Sequence, residues 1–242
     1  MLLGNIAALY RYPVKSMRGQ EPQSAELGLH GLEGDRRYAL RRFGDHTGFP
    51  WLTASQLFEL VRFTPVHRGD DLYVRTPDGH EFPILSTELK EELSARYGSP
   101  IEIFHQRHGI FDDANLSIIT LDTVEEIARQ AGVPADVRRF RPNIAVRLSS
   151  PASFQEDNWL GGAITFGDSH DAPTISVTQR DVRCGVINLD PDTAEPAPEL
   201  LKTVVRTNQN CAGIYATITR PGRLEVDQPI HFHAQTFTHA TT

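Results

Sequence analysis

The chain has 242 residues, of which 39% are hydrophobic and 23% charged, and its 24 basic and 31 acidic side chains give a formal net charge of −7. These values indicate a globular protein of one elongated or two small domains and exclude disorder and collagen. The negative charge argues against a general nucleic-acid binder, and no apolar run approaches the roughly 20 residues that span a bilayer. Because the start of the chain lacks a cleavage site for secretion and only Cys184 and Cys211 are cysteines, we expect a soluble, cytoplasmic protein.

Apolar and polar residues alternate with a period of two along most of the chain, which predicts short β-strands. The predicted strands lie, in chain order, around residues 6–10, 37–43, 72–75, 101–104, 143–148, 175–178 and 215–219. Turn signals such as Pro77-Asp78-Gly79 and Pro221-Gly222 separate them at spacings typical of a barrel or sandwich. We therefore predict a mainly antiparallel β fold.

Three segments have helical spacing instead. We predict helix starts at the N-cap Ser86, at Asp122 in a capping-box-like sequence, and at the first-turn residue Pro198. Gly98 and Gly132 are the predicted stops of the first two helices.

A boundary near residues 98–112 divides the chain into two predicted β subdomains, 1–105 and 106–238. Long loops are predicted at 149–158 and 190–198, and loops on a β scaffold are where functional sites usually lie.

The first candidate anion-binding cluster lies near the amino terminus. Lys15 and Ser16 follow the turn Tyr12-Pro13-Val14, and Arg36 follows twenty residues later. A lysine, a hydroxyl and an arginine together offer charge-assisted hydrogen bonds to a phosphate. A solvated loop with an arginine at a strand start is the alternative.

The second cluster is Phe140-Arg141-Pro142-Asn143. A proline restricts the residue before it to extended backbone, so we expect Arg141 to be extended and Asn143 to share its side of the strand. Both side chains would then face one pocket. The alternative is a strand-entry turn with an exposed Arg141.

The third cluster is Arg183-Cys184. An arginine beside a thiol favours the thiolate, and soft metal centres accept thiolate ligands. A buried apolar cysteine is the alternative, and a disulfide with Cys211 is not expected in a cytosolic chain.

Histidine pairs offer a weaker signal. His105 with His108, and His231 with His233, have spacings that occur in zinc sites. Neither pair has a second Cys or His pair at zinc-ligand spacing, so we do not expect zinc.

The order of these clusters resembles the MOSC family with an amino-terminal MOSC barrel, and within it the amidoxime-reducing component and its bacterial relatives. The motifs that carry the resemblance are Tyr-Pro-Val-Lys-Ser, Gly-Asp-Arg, Phe-Arg-Pro-Asn, and Arg-Cys followed by Leu-Asp-Pro-Asp-Thr. The likeness runs from about Leu3 to Phe232 and includes Asp157-Asn158-Trp159 and Gly167. It implies the fold already predicted, a pair of β-barrel subdomains with a few short helices.

The resemblance also implies a cofactor and the residues that hold it. The cofactor is the molybdenum cofactor (molybdopterin), and neither pyridoxal phosphate nor an iron–sulfur cluster is expected in this chain. Cys184 takes the position of the catalytic molybdenum ligand. The residues at the positions of the family's pterin and phosphate contacts are Lys15, Ser16, Arg36, Asp113, Ala114, Arg141, Asn143, Arg183 and Cys184 itself. The chain departs from the family pattern at Asp113 and Ala114, which replace a threonine-serine pair, at Val182, which replaces a hydroxyl residue, and at Ser55, which replaces an arginine.

The function implied is reduction of small N-hydroxylated substrates at molybdenum, with electrons supplied by a separate donor protein. Two alternatives remain open. The chain is a cofactor carrier or a sulfur-transfer module with a persulfide on Cys184, or it is a cofactor-free β-barrel that serves as an interaction module.

Overall fold

The computed structural model describes residues 1–234. Its strands are β1 (Leu2–Leu9), β2 (Ser24–Gly28), β3 (Gly31–Leu32), β4 (Tyr38–Arg42), β5 (Trp51–Leu52), β6 (Thr64–Arg68), β7 (Asp71–Arg75), β8 (Glu81–Pro83), β9 (Ile101–His105), β10 (Leu116–Thr120), β11 (Ile144–Leu148), β12 (Ala163–Phe166), β13 (Thr174–Val182), β14 (Cys211–Arg220), β15 (Gly222–Glu225) and β16 (Pro229–His233). The α-helices are α1 (Thr87–Tyr97), α2 (Leu121–Ala131) and α3 (Glu199–Asn208). Short 3₁₀ turns lie at Phe58–Arg62, Val137–Phe140, Gln155–Trp159 and Gly185–Asn188. The prediction of a mainly β protein with a few short helices is confirmed.

A closed barrel of seven strands, in the order β1-β11-β10-β14-β13-β12-β16, holds the larger core. Its neighbours are antiparallel except for β10 and β11, which run parallel. Alternate residues of each strand point inward, so that side chains such as Ile6, Ile118 and Ile214 are fully or almost fully buried. The first strand of the chain, β1, closes this barrel between β11 and β16. The proposed division at 105 and 106 stays a prediction, and its carboxy-terminal limit at 238 lies outside the described residues.

The amino-terminal part forms smaller sheets around a second core. Two three-stranded sheets, β5-β4-β9 and β6-β7-β8, pack with α1 around Leu40, Phe63 and Leu93. A third sheet, β15-β2-β3, pairs a late strand with an early one. The two parts are thus interleaved in sequence, and surfaces from both meet where the candidate site lies.

Capping residues set the ends of the first two helices. Ser86 caps α1 by accepting from the Leu89 amide at 3.1 Å, and Gly98 ends it with a φ of 80°, as predicted. The predicted start of α2 at Asp122 is wrong. Thr120 is its N-cap, because its hydroxyl is held at the end of β10 by the buried carboxylate of Glu156 at 2.8 Å. Glu156 lies 36 residues after Thr120, so the spacing of residues within the helix segment does not reveal this contact.

No helix within residues 1–234 has both the length and the apolar character needed to cross a bilayer.

Position 213 on β14 requires a glycine, because the backbone is left-handed there and neighbouring atoms leave no space for a side chain. Its φ is 85°, and an added Cβ would lie 2.5 Å from the Ile118 carbonyl and 3.1 Å from Arg183 Nη2. We expect Gly213→Ala to lower the free energy of unfolding by about 2–3 kcal/mol, because both the backbone conformation and the space exclude a methyl group. Urea denaturation measures this. Gly98→Ala is the matched control, because its φ is also positive but no atom lies within 4 Å of its Cβ position.

Candidate functional site

A cavity of about 360 Å³ lies where the seven-stranded barrel meets the amino-terminal sheets. This volume is in the range of small-molecule sites. Its basic lining residues are Lys15, Arg36, Arg139, Arg141 and Arg183, and its acidic ones are Asp112, Asp113 and Asp181. The main cavity therefore has an excess of positive lining residues in a protein of net negative charge.

The end of β13 brings the candidate metal ligand to the main cavity. Side chains alternate there: Asp181 and Arg183 are buried, whereas Val182 and Cys184 are exposed. Both cysteines are free thiols, and because Cys184 is exposed, the alternative of a buried Cys184 is wrong.

Arg183 supports the barrel wall rather than the thiol. Its Nε donates to the Ala212 carbonyl and its Nη1 to the Phe140 carbonyl, both at 2.7 Å, and Nη2 lies 2.7 Å from Asp181. The expectation that Arg183 favours a Cys184 thiolate gains no support from these contacts, because the guanidinium is directed into the barrel.

Lys15 and Arg36 converge on Asp112. The Lys15 ammonium lies 3.3 Å and the Arg36 Nε 2.6 Å from the Asp112 carboxylate. Burial by itself would raise the pKa of Asp112, but Arg36 and Lys15 outweigh it and hold that pKa below its ordinary value. Two of the predicted phosphate contacts are therefore already paired with a carboxylate.

Arg36 is also part of a buried network that joins the two parts of the chain. It donates to Asp35 at 2.5 Å and to the amide oxygen of Asn143 at 3.2 Å. Asn143 donates in turn to Asp35 at 3.0 Å and accepts from the Ser117 amide at 3.1 Å. Burial would lower the pKa of Arg36, but the carboxylates of Asp35 and Asp112 raise it, so this guanidinium is permanently charged. Asn143 is not among the residues that line the main cavity, and its amide takes part in this network; its contact with a cofactor stays a prediction.

Arg141 is the basic lining residue without a carboxylate within 4 Å among the described residues. Its Nη1 donates to the Met17 carbonyl at 2.8 Å, its guanidinium lies 4.2 Å from the centre of the Tyr12 ring, and its buried Nη2 has no partner. Burial lowers the pKa of Arg141, and the positive charge of Arg36 adds to this effect. An anion in the main cavity would compensate this buried charge.

The predicted extended backbone of Arg141 is wrong. Its φ is 51° and its ψ is 43°, the left-handed conformation, and it ends the 3₁₀ turn Val137–Phe140. The carbonyl accepts from Arg36 at 2.9 Å while the side chain stacks on Tyr12. These tertiary contacts outweigh the local preference that Pro142 imposes. The residue lies before β11 rather than within it, yet its side chain still reaches the main cavity.

Asp181 is a buried carboxylic acid on the cavity wall. Its Oδ2 accepts from the Ser117 hydroxyl and pairs with Arg183, both at 2.7 Å, whereas Oδ1 has no partner. Burial raises the pKa of Asp181 to about 6, although Arg183 acts in the opposite direction. The main cavity thus contains a group that exchanges a proton close to neutral pH.

We expect Asp181 to make stability depend on pH. Its pKa is higher in the folded than in the unfolded chain, so its contribution is fully present below about pH 4 and is lost as the pH rises through 6. The loss is on the order of 3 kcal/mol, and Asp181→Asn should remove this dependence. Urea unfolding at pH 4, 5, 6 and 7 measures it. Asp112→Asn should act with the opposite sign, because the pKa of Asp112 is lowered; equal profiles for both variants would contradict the assignment.

The structure brings together all predicted site residues except Ala114 and Asn143. It adds Asp112, Arg139 and Asp181, which the sequence analysis missed. The period-two pattern at the end of β13 places Asp181 on the same side as Arg183, and this pattern could have identified Asp181 from the sequence. Ser55, noted as a departure from the family pattern, also lines the main cavity. Within residues 1–234 no three His, Cys, Asp or Glu side chains form a metal cluster.

Family models identify the class of protein. The model of the MOSC domain matches residues 105–231, and that of the MOSC N-terminal beta barrel domain matches residues 3–103. The chain therefore belongs to the MOSC family, which includes proteins that bind the molybdenum cofactor.

Solved structures are similar to the chain at low sequence identity. The YUAD protein from Bacillus subtilis has a TM-score of 0.54 at 17% identity, over 98% of this chain and 100% of that chain. YiiM from Escherichia coli has a TM-score of 0.44 at 15% identity, over 93% of this chain and 71% of that chain. The similarity to the YUAD protein supports the fold alone. No curated protein matches the chain significantly.

Proposed function

We propose that this protein is an oxidoreductase that holds the molybdenum cofactor in the main cavity and reduces N-hydroxylated small molecules. The observation that carries the proposal is an exposed free thiol, Cys184, on the same cavity as Arg141, a buried cation without a carboxylate partner. A thiolate suits a soft metal centre, and an uncompensated guanidinium suits a phosphate. The donor set therefore fits a cofactor that combines both groups.

Each lining residue then has a role of its own. Cys184 would be the protein ligand of molybdenum, and Arg141 would bind the phosphate. Lys15 and Arg36 would act mainly through position, because Asp112 already takes part of their charge. Arg183 and the network of Asp35 and Asn143 hold the cavity walls in place.

When bound, the cofactor supplies a metal that changes oxidation state by two electrons. Reduction of a hydroxylamine consumes two electrons and two protons and yields the amine and water. The electrons would come from a separate donor protein. Asp181, with a pKa near neutral and an oxygen free of partners, is the residue placed to hold a proton at the cavity wall.

The test is the molybdenum content of the chain purified from a host that makes the cofactor, combined with reduction of an amidoxime by a reduced viologen dye. We expect about one molybdenum per chain and formation of the amidine. Absence of molybdenum would contradict the proposal. Molybdenum without reduction would favour a cofactor carrier, and sulfane sulfur on Cys184 would favour sulfur transfer.

A further inference from the structure

The residues that line the main cavity differ in character between its inner wall and its mouth. All five basic lining residues are buried or partly buried. The mouth consists of the lining residues that are exposed, which are Phe49, Ser55, Gln56, Asp113, Val182 and Cys184. It therefore carries the free thiol and no positive charge, whereas the inner wall carries the arginines that suit a phosphate.

Phe49 and Val182 form the apolar part of the mouth. Phe49 is 50% and Val182 is 65% exposed, and no other large apolar side chain that is exposed within residues 1–234 lines the main cavity. Neither side chain belongs to one of the hydrophobic cores, so packing within the fold does not explain their size. Apolar surface of this kind contributes binding free energy when a ligand covers it.

The two side chains come from different parts of the chain. Phe49 lies in the loop between β4 and β5, where the Arg42 guanidinium donates to the carbonyls of Phe49 at 2.5 Å and of Pro50 at 3.5 Å. Val182 is the last residue of β13, and it shares the exposed side of the chain with Cys184, two residues further on. The amino-terminal sheets and the barrel thus each place one apolar residue at the mouth, and Val182 lies beside the thiol.

We propose that Phe49 and Val182 select substrates in which the N-hydroxylated group is attached to a flat, uncharged apolar group such as a benzene ring. A flat ring packs well against an aromatic side chain, and a ring that also contacts Val182 lies beside Cys184. The carboxylate of Asp113 and the lack of a cation at the mouth disfavour an anionic substrate. This inference rests on the proposed function, because it names the substrate class of the same site.

The experiment is calorimetric titration of the full chain, purified from a host that makes the cofactor, with benzamidoxime. No electron donor is added, so binding is measured without reduction. We expect saturable binding, and weaker binding of acetamidoxime, in which a methyl group replaces the ring. Phe49→Ala should raise the Kd for benzamidoxime about tenfold, the loss expected for one aromatic contact and its buried area, and the Kd for acetamidoxime less than about twofold. Val182→Thr, which adds a hydroxyl to the mouth, should weaken benzamidoxime severalfold.

Phe43→Ala and Val205→Thr are the matched controls. Phe43 lies in the same loop as Phe49 and is 66% exposed, Val205 is 53% exposed on α3, and neither lines the main cavity. Both variants should bind benzamidoxime like the original chain. Equal weakening in Phe43→Ala and Phe49→Ala would overturn the proposal, because it would assign the effect to the loop and not to the mouth.

The outcomes distinguish this proposal from the proposed function. Benzamidoxime binding that depends on Phe49, without reduction once a reduced viologen dye is added, contradicts the proposed function and supports the ligand class. Reduction of both amidoximes with unchanged KM in Phe49→Ala overturns the proposal and leaves the proposed function intact. Absence of benzamidoxime binding also overturns it.

The para-carboxylate of benzamidoxime tests the effect of charge. We expect this anion to bind more weakly than benzamidoxime, because Asp113 repels it and the mouth offers no cation. Equal or tighter binding would show that the basic inner wall, and not the mouth, selects the ligand, and it would overturn the proposal.

Discussion

Cys184→Ser is expected to abolish molybdenum-dependent reduction and to leave the fold unchanged. A hydroxyl is nearly the size of a thiol, but it is a harder ligand and far less acidic, so it does not replace a thiolate at a soft metal. The Cys184 side chain is exposed, and its loss opens no cavity in either core. Reduction of an amidoxime, molybdenum content and circular dichroism measured on one preparation separate loss of chemistry from loss of structure.

Cys211→Ser is the control for this experiment. Cys211 is buried on β14, and burial raises the pKa of its thiol, which keeps it in the form that does not bind metals. Its variant should retain both molybdenum and activity. Full activity in Cys184→Ser, or a requirement for Cys211 alone, would show that the ligand assignment is wrong.

Arg36→Ala is expected to lower the free energy of unfolding by roughly 3–5 kcal/mol, the usual cost of removing one partner of a buried ion pair. The variant leaves the fully buried carboxylate of Asp35 without its cation and the amide oxygen of Asn143 with one donor fewer. It also removes a cation 5.0 Å from the centre of the Tyr12 ring. Because this network joins both parts of the chain, cofactor retention should fall together with stability. Chemical denaturation and molybdenum content measure the two effects.

Arg141→Ala separates binding from stability. Its guanidinium has no carboxylate partner among the described residues, so its loss leaves no buried anion unpaired. Cofactor retention should fall roughly ten- to hundredfold, the value of one hydrogen bond to a charged group, with a smaller loss of stability than in Arg36→Ala. Arg41→Ala, which removes a guanidinium 5.6 Å from the Phe104 ring centre and outside the main cavity, should change retention little. Equal loss of cofactor in all three variants would indicate general destabilisation rather than a site.

The sequence by itself determined the fold class, most strand positions and the ends of α1. These features depend on interactions between near neighbours: alternation places one face of a strand inward, and Ser86 and Gly98 act on amides and carbonyls a few residues away. The order of the motifs also identified the residues around the main cavity, because each motif carries its own side-chain chemistry. Local rules are reliable where no distant group competes with them.

Tertiary structure decided which of those residues are available to a ligand. Asn143 and Arg183 are predicted ligand contacts in the sequence, and in the folded chain they also donate hydrogen bonds to distant residues, Asn143 to Asp35 and Arg183 to the Ala212 carbonyl. Thr120 replaces Asp122 as the cap of α2 for the same reason, since Glu156 holds its hydroxyl. Arg141 adopts a left-handed backbone against the preference set by Pro142, because contacts to Arg36, Met17 and Tyr12 fix it. Charge compensation and hydrogen bonding depend on residues that only folding brings together. They distinguish an arginine that is paired within the protein from one that is free to bind an anion.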